Sequence, residues 1–254
     1  MSQRDKDDLK LAVLIDADNV PFSNVKGMME EIAKYGTPTT KRIYGDWTKL
    51  PDKGWKSVLL ENAITPIQQY GYTTGKNATD SAMIIDAMDI LYSDKVDGFC
   101  IVSSDSDFTR LATRLRESGM KVIGIGEKKT PNPFIVACDR FIFIEVIEGA
   151  KKKKVVSATA TPDDKKKDEK ALSKIDVDTI DIIESSIEDI AEDDGWAFLG
   201  DVGNLIVKKK PEFDPRNYGF SKLTPLMKSL THLLEIHERE SDKKGIKHVY
   251  VRLK

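Results

Sequence analysis

Histidine is the residue this chain distributes most unevenly. Its 254 residues hold three, His232, His237 and His248, and residues 1–231 contain none. A site in that long stretch cannot use a histidine base, a Ser-His-Asp triad or a histidine-rich zinc centre. Chemistry there has to rest on carboxylates, lysine, tyrosine, serine or a hard metal ion. Cysteine is scarcer still, with Cys100 in an apolar run and Cys138 beside another. Such a pair reads as two buried, reduced thiols, the pattern of a cytoplasmic protein rather than a disulfide-stapled one. No apolar run approaches the roughly 20 residues that span a bilayer. The charged stretch from Met1 to Lys10 also lacks the apolar centre of a signal peptide, so no membrane association is expected. A formal net charge of −2 gives no global attraction to nucleic acid, which would have to be held by local patches.

The glycine-rich phosphate loops are missing too. Gly71-Tyr72-Thr73-Thr74-Gly75-Lys76-Asn77 has neither the spacing nor the Ser/Thr of a P-loop. Gly124-Ile125-Gly126-Glu127-Lys128-Lys129 lacks the third glycine of a dinucleotide fingerprint.

What the chain does have is alternation. Apolar β-type runs at Leu9–Ile15, Thr40–Tyr44, Ile64–Tyr70, 99–103, Lys121–Ile125 and Phe141–Val146 are separated by segments of helical spacing at Phe22–Tyr35, Lys53–Asn62, Thr79–Leu91 and 107–118, and after Pro131. This pattern predicts an α/β fold, a mostly parallel sheet covered on both faces. Right-handed crossovers would bring every strand's carboxyl end to one edge. Asp16 follows the first strand, and Asp105 and Asp107 follow the fourth. Asp80 opens a helix and can approach from the side.

Residues 148–174 break the pattern. They hold Lys151-Lys152-Lys153-Lys154 and Lys165-Lys166-Lys167 around a Ser/Thr/Ala/Pro stretch, and read as a flexible linker. Residues 175–254 predict three helices and a terminal hairpin, a small winged-helix domain. The preceding domain is set at residues 9–147.

Three or four carboxylates without histidine suit Mg²⁺ or Mn²⁺, which take oxygen ligands and bridge to phosphate oxygens. Asp16, Asp80, Asp105 and Asp107 are the candidate metal-binding and catalytic residues. Asn19, Lys76 and Ser104 are candidate substrate contacts: a neutral side chain that holds water or phosphate, a point charge, and a hydroxyl donor. Each has a plainer alternative. Asp18 and Asn19 can cap the following helix, Asp105 and Asp107 can cap theirs, Asp86 can be a solvated helical residue, and Asp46-Trp47 a packed turn. In the C-terminal part, Lys222, Lys228, Lys243, Lys244 and Lys247 are candidate RNA phosphate contacts, with Tyr218 or Tyr250 available for stacking. A solvated rim is the alternative for these lysines.

Leu14-Ile15-Asp16-Ala17-Asp18-Asn19, Thr79-Asp80 with Asp86, and Val102-Ser103-Ser104-Asp105-Ser106-Asp107-Phe108 resemble the three motifs of NYN domains, relatives of the PIN nucleases. Ser103 stands where many members have glycine. The resemblance implies a three-layer α/β/α fold and a metal-dependent ribonuclease site at Asp16, Asp80, Asp105 and Asp107. Gly195-Trp196-Ala197-Phe198-Leu199-Gly200, Tyr218-Gly219-Phe220-Ser221-Lys222-Leu223 and the hairpin resemble the OST-HTH (LOTUS) winged helix, which implies RNA or protein binding. Two other readings stay open on the residues alone. One is a non-catalytic RNA-binding or adaptor protein. The other is an aspartyl-phosphate phosphatase with Asp16 as nucleophile, although Asn19-Val20 replace the Thr or Ser expected after its motif.

Overall fold

The structure is a computed structural model that describes residues 8–49, 52–70, 78–147, 175–240 and 247–254. It divides into two compact units. Lys76, its loop 71–77, the Lys-rich segment 148–174, Lys243 and Lys244 lie outside the described residues.

The first unit carries six strands in one parallel sheet: β1 (Lys10–Asp16), β2 (Thr37–Gly45), β3 (Thr65–Gln68), β4 (Gly98–Val102), β5 (Lys121–Gly126) and β6 (Arg140–Phe143). Their order across the sheet is β3-β2-β1-β4-β5-β6. Five helices connect them: α1 (Val25–Ile32), α2 (Asp52–Asn62), α3 (Ala78–Tyr92), α4 (Thr109–Glu117) and α5 (Asn132–Ala137).

Side-chain alternation along β1 explains the layering. Leu11, Val13 and Ile15 enter one core with Val25, Met28 and Ile32 of α1 and Trp55 and Leu59 of α2. Ala12 and Leu14 enter the other, with Met83 and Ala87 of α3, Leu111 and Leu115 of α4 and Phe134 of α5. Both faces of the sheet are therefore covered, which is why its strands read as unbroken apolar runs. Each fully buried side chain of this size contributes about 1.5–3 kcal/mol.

The chain leaves β1 in one direction and returns from β4 in the other, so the order reverses between these two neighbours. In an open α/β sheet a ligand crevice forms at that point, outside the carboxyl ends of the strands. Asp16 ends β1, and Ser103 to Asp107 follow β4.

Several elements differ from the sequence reading. The segment predicted as one helix over 22–35 is a 3₁₀ turn, Phe22–Asn24, followed by the shorter α1. The second strand begins at Thr37 and passes through Pro38, where the β1 register shifts between Leu11 and Ala12. The sixth strand stops at Phe143, and residues 144–147 are helical. Pro66 is accommodated because β3 lies at the sheet edge.

The second unit contains α6 (Val177–Ile190), α7 (Leu199–Lys209) and α8 (Leu223–Ser229), with β7 (Ala197–Phe198), β8 (Leu234–Glu240) and β9 (Lys247–Leu253). The strands form an antiparallel sheet in the order β7-β9-β8. Ile183, Val202, Ile206, Leu226, Met227 and Val251 centre its core. Tyr218 is buried in that core and its hydroxyl lies 3.0 Å from Thr179 Oγ1, so it is not available for base stacking.

Candidate functional site

Asp80, Asp105 and Asp107 converge at the carboxyl edge of the parallel sheet. Each offers a carboxylate oxygen, and the three oxygens lie within 4.8 Å of one another. Three local features produce this. Asp80 sits in the first turn of α3, where a carboxylate is favoured by the unpaired amides of the helix start. Asp105 ends the extended segment after β4, and its Oδ1 accepts from the Asp107 amide at 2.9 Å. Asp107 occupies the first turn of the 3₁₀ helix Ser106–Phe108. The cap of this turn is thus Asp105, not Asp107, and capping fixes the Asp105 carboxylate at the site. Asp80 and Asp105 are half-buried while Asp107 is exposed, so the cluster opens to solvent on one side.

Asp16 is not one of this trio. It is 1% exposed and both its oxygens are engaged. Oδ2 accepts from Asn19 Nδ2 at 2.5 Å and from Ser103 Oγ at 2.9 Å, and Oδ1 accepts from the Asp18 amide at 3.1 Å. Burial raises the Asp16 carboxyl above its ordinary range, and these three donors oppose the rise. Its charge is still felt at the cluster. Asp80 is pushed up to about 6, first by burial and then by Asp16, Asp105, Asp107 and Asp18. Asp80 is thus repelled by four neighbouring carboxylates, a concentration of negative oxygen donors that suits a hard divalent cation by both charge and donor type.

Asn19 therefore binds Asp16 instead of capping a helix, and no side chain caps the 3₁₀ turn that starts at Phe22. Ser104 is 8% exposed, and its oxygen accepts from the Glu127 amide at 2.9 Å, tying the ends of β4 and β5 together. Asp46 and Trp47 do form a packed turn. Asp46 Oδ1 accepts from Thr48 and Gln68, and the indole donates to the Ile67 carbonyl.

Two residues of the motif stretches have roles that the sequence did not assign. Ser103, fully buried, joins both motifs: its hydroxyl donates to Asp16 and accepts from the Asp105 amide at 3.1 Å. Asp86 is not a solvated helical residue. It pairs with Arg42 and accepts from the hydroxyl of the fully buried Tyr44, anchoring α3 to β2. Asp80 lies on the same helix.

A groove of about 330 Å³ opens at the end of β1, lined among others by Asp18, Asn19, Trp55, Glu127 and Lys129. Lys129 pairs with Glu127 at 2.6 Å and is a cation near the site that the sequence did not single out. A larger groove of about 610 Å³ lies at the opposite sheet edge, beside Leu9, Asp97 and Lys121, and none of Asp80, Asp105 and Asp107 lines it.

Of the C-terminal lysines, Lys222 is exposed at the start of α8. Lys228 and Lys247 both pair with Glu238, at 2.7 and 3.4 Å, and hold its carboxyl below the ordinary range. Their charge is shared with that carboxylate. No described helix is long and apolar enough to cross a membrane.

Comparison with known proteins agrees with the two-part architecture. A family model for the NYN domain matches residues 10–145, and one for the OST-HTH/LOTUS domain matches residues 170–246. Among solved structures, an uncharacterized protein of Nitrosomonas europaea is 30% identical, with 38% of this chain and 89% of that one covered and a TM-score of 0.31. A protein of unknown function from Vibrio parahaemolyticus is 20% identical over 56% of this chain and 94% of that one, with a TM-score of 0.47. A protein segment from Chromobacterium violaceum is 36% identical over 33% of this chain and 87% of that one, with a TM-score of 0.25. No curated protein matches the chain. The NYN model spans more than half of the sequence and covers all four aspartates, so the protein belongs to the NYN domain family.

Proposed function

We propose that the protein is a metal-dependent ribonuclease whose C-terminal domain recruits RNA. NYN membership places the chain in a nuclease superfamily, and OST-HTH/LOTUS domains bind RNA, so a ribonuclease-like or RNA-binding role follows from the families. The observation that carries the finer reading is the approach of the Asp80, Asp105 and Asp107 oxygens to within 4.8 Å at the sheet's switch point.

Mg²⁺ or Mn²⁺ held by Asp80, Asp105 and Asp107 would neutralise charge on the phosphodiester and acidify a bound water. The chain's own residues do the rest. Asp105, fixed by its cap bond, and Asp107, open to solvent, present oxygens to the side from which RNA arrives. Asp80, on the half-buried side, is pushed up by burial and by its acidic neighbours, so it takes up a proton more readily than an ordinary aspartate. Asp16 acts as a positioning residue. Held by Asn19 and Ser103, it adds negative charge behind the trio while Ser103 fixes the Asp105 backbone. Asn19, whose Nδ2 is held by Asp16, and Lys129, paired with Glu127, border the adjoining groove, where Lys129 would exchange Glu127 for an RNA phosphate. The domain limits follow the same reading, with residues 9–147 as the nuclease and 175–254 as the recruiting module.

Asp16 as an aspartyl-phosphate nucleophile is disfavoured by its 1% exposure and its occupied oxygens, since a nucleophile has to reach phosphorus. The test is hydrolysis of a labelled single-stranded RNA with Mg²⁺, Mn²⁺ or EDTA. Cleavage should require the divalent ion and should be lost in Asp105→Asn with the fold retained. Unchanged cleavage by that variant would remove the proposal.

A further inference from the structure

The sheet of the C-terminal unit has two unlike faces. Leu234, Ile236, Val249, Val251 and Leu253 turn inward to the core. The alternate residues point the other way: Glu235, His237 and Arg239 on β8, His248, Tyr250 and Arg252 on β9, and Phe198 on β7 beside Tyr250. None of these seven is aliphatic.

The rings on this outer face touch in sequence. Phe198 lies 5.5 Å from the His248 ring and 5.7 Å from Tyr250, centroid to centroid. Trp196, just before β7, lies 5.8 Å from His237. Two guanidinium groups cover rings, with Arg239 Cζ 4.5 Å from the Tyr250 centroid and Arg252 Cζ 4.7 Å from that of Trp196. Arg252 also donates to Glu235 at 2.5 Å, so the face holds two guanidinium groups against one carboxylate.

Two glycines preform the arrangement. A Cβ on Gly200 would lie 2.6 Å from the Phe198 ring. Gly195 has φ +78°, and a Cβ there would meet the Arg252 side chain at 3.1 Å. Their missing side chains leave the space that Phe198 and Arg252 occupy on this face.

We propose that this outer face is a stacking platform for the unpaired bases of single-stranded RNA. The inference deepens the RNA-recruiting role proposed for the C-terminal domain and rests on it. Bases stack on Tyr250, Phe198 and Trp196, and the sequence tolerance of stacking follows because every base presents a π-face. A base that takes the place of Arg239 on Tyr250 frees that guanidinium for the adjoining phosphate. Ring and guanidinium planes without aliphatic side chains match nucleobases and phosphates, and the excess of guanidinium over carboxylate matches their charge. The surface differs from the lysine set, two of which are committed to Glu238.

The test uses the full chain in EDTA, a fluorescein-labelled 12-nucleotide oligouridine, and a duplex of the same length as comparator. Tyr250→Ala should weaken single-strand binding about 10-fold, with a much smaller change for duplex, whereas Tyr250→Phe should bind as the parent does. Binding should quench tryptophan emission, and Trp196→Phe should remove most of that quenching. Parent-like oligouridine affinity in Tyr250→Ala, including the case in which the face engages only a protein, overturns the proposal, and so does quenching that persists in Trp196→Phe. So does an equal loss for single strand and duplex. Because binding is read without cleavage, an inactive nuclease centre leaves the outcome unaffected.

Discussion

The Ser103 hydroxyl donates to Asp16 Oδ2 at 2.9 Å, joining the ends of β1 and β4 where the strand order reverses. The same oxygen accepts from the Asp105 amide, so a single buried side chain ties the positioning carboxylate to the loop that carries two of the cluster oxygens.

Ser103→Ala should therefore act on stability and on cleavage together. It leaves a buried carboxylate oxygen short of one donor and an amide without its acceptor, a loss of about 1–3 kcal/mol. Denaturant unfolding checks the first effect and RNA hydrolysis the second. A variant as stable and as active as the parent would show that the bond is incidental.

Asp86→Ala should loosen α3. It leaves the Arg42 guanidinium and the hydroxyl of fully buried Tyr44 without their shared carboxylate. The cost should again be about 1–3 kcal/mol. Asp80 rides on the same helix, so the divalent concentration needed for half-maximal cleavage should rise more than it does for a surface control such as Asp89→Ala. Equal metal requirements in the two variants would detach Asp86 from the site.

Much of this was legible in the sequence, for reasons that also mark its limit. A strand buried on both faces has to be apolar throughout, so β1, β4 and β5 announced themselves, and a carboxylate at the end of such a strand is conspicuous. Which carboxylates meet is set by loop geometry a few residues long. Asp16 and Asp105 look equivalent in the sequence, yet one turns inward to Asn19 and Ser103 and the other outward to the cluster. Asp86 looked solvated because its partners, Arg42 and Tyr44, lie more than 40 positions away. The glycines of Gly124-Ile125-Gly126 serve close packing: a Cβ on Gly126 would come within 2.6 Å of the Ser103 carbonyl oxygen. β7, with two residues, is too short to show a period.

Gly126→Ala should accordingly disturb the site from behind. Its new methyl would push against Ser103 O and Thr130 Oγ1, at 2.6 and 2.7 Å, both held by the fold. Reduced thermal stability together with weaker divalent activation is the expected result, read by calorimetry and by cleavage across a Mg²⁺ titration. A fully stable, fully active variant would contradict the tight approach of β5 to the Ser103 turn.

Stability should also depend on pH in a defined direction. Asp80 is raised from the usual 3.8 to about 6 in the fold, so the folded state binds the proton more tightly than the unfolded chain does. That contribution is fully present below about pH 4, and it is lost as the pH rises through about 6. Asp16, also raised, acts in the same sense. In EDTA the melting temperature of the parent should fall over this window more than that of Asp80→Asn. Mg²⁺ should restore stability at pH 7.5 and do little at pH 4.5, because cation and proton compete for the same carboxylates. A parent and an Asp80→Asn variant with identical pH profiles would contradict the repulsion at the cluster.

The most direct test of the central claim is anomalous diffraction from crystals of the full chain grown or soaked in Mn²⁺. The account predicts a manganese peak bonded to carboxylate oxygens of Asp80, Asp105 and Asp107 at roughly 2.0–2.3 Å, with Asp16 retaining its bonds to Asn19 and Ser103 behind it. Saturating Mn²⁺ with no peak among the three aspartates, or a peak bound elsewhere while they stay apart, would contradict it.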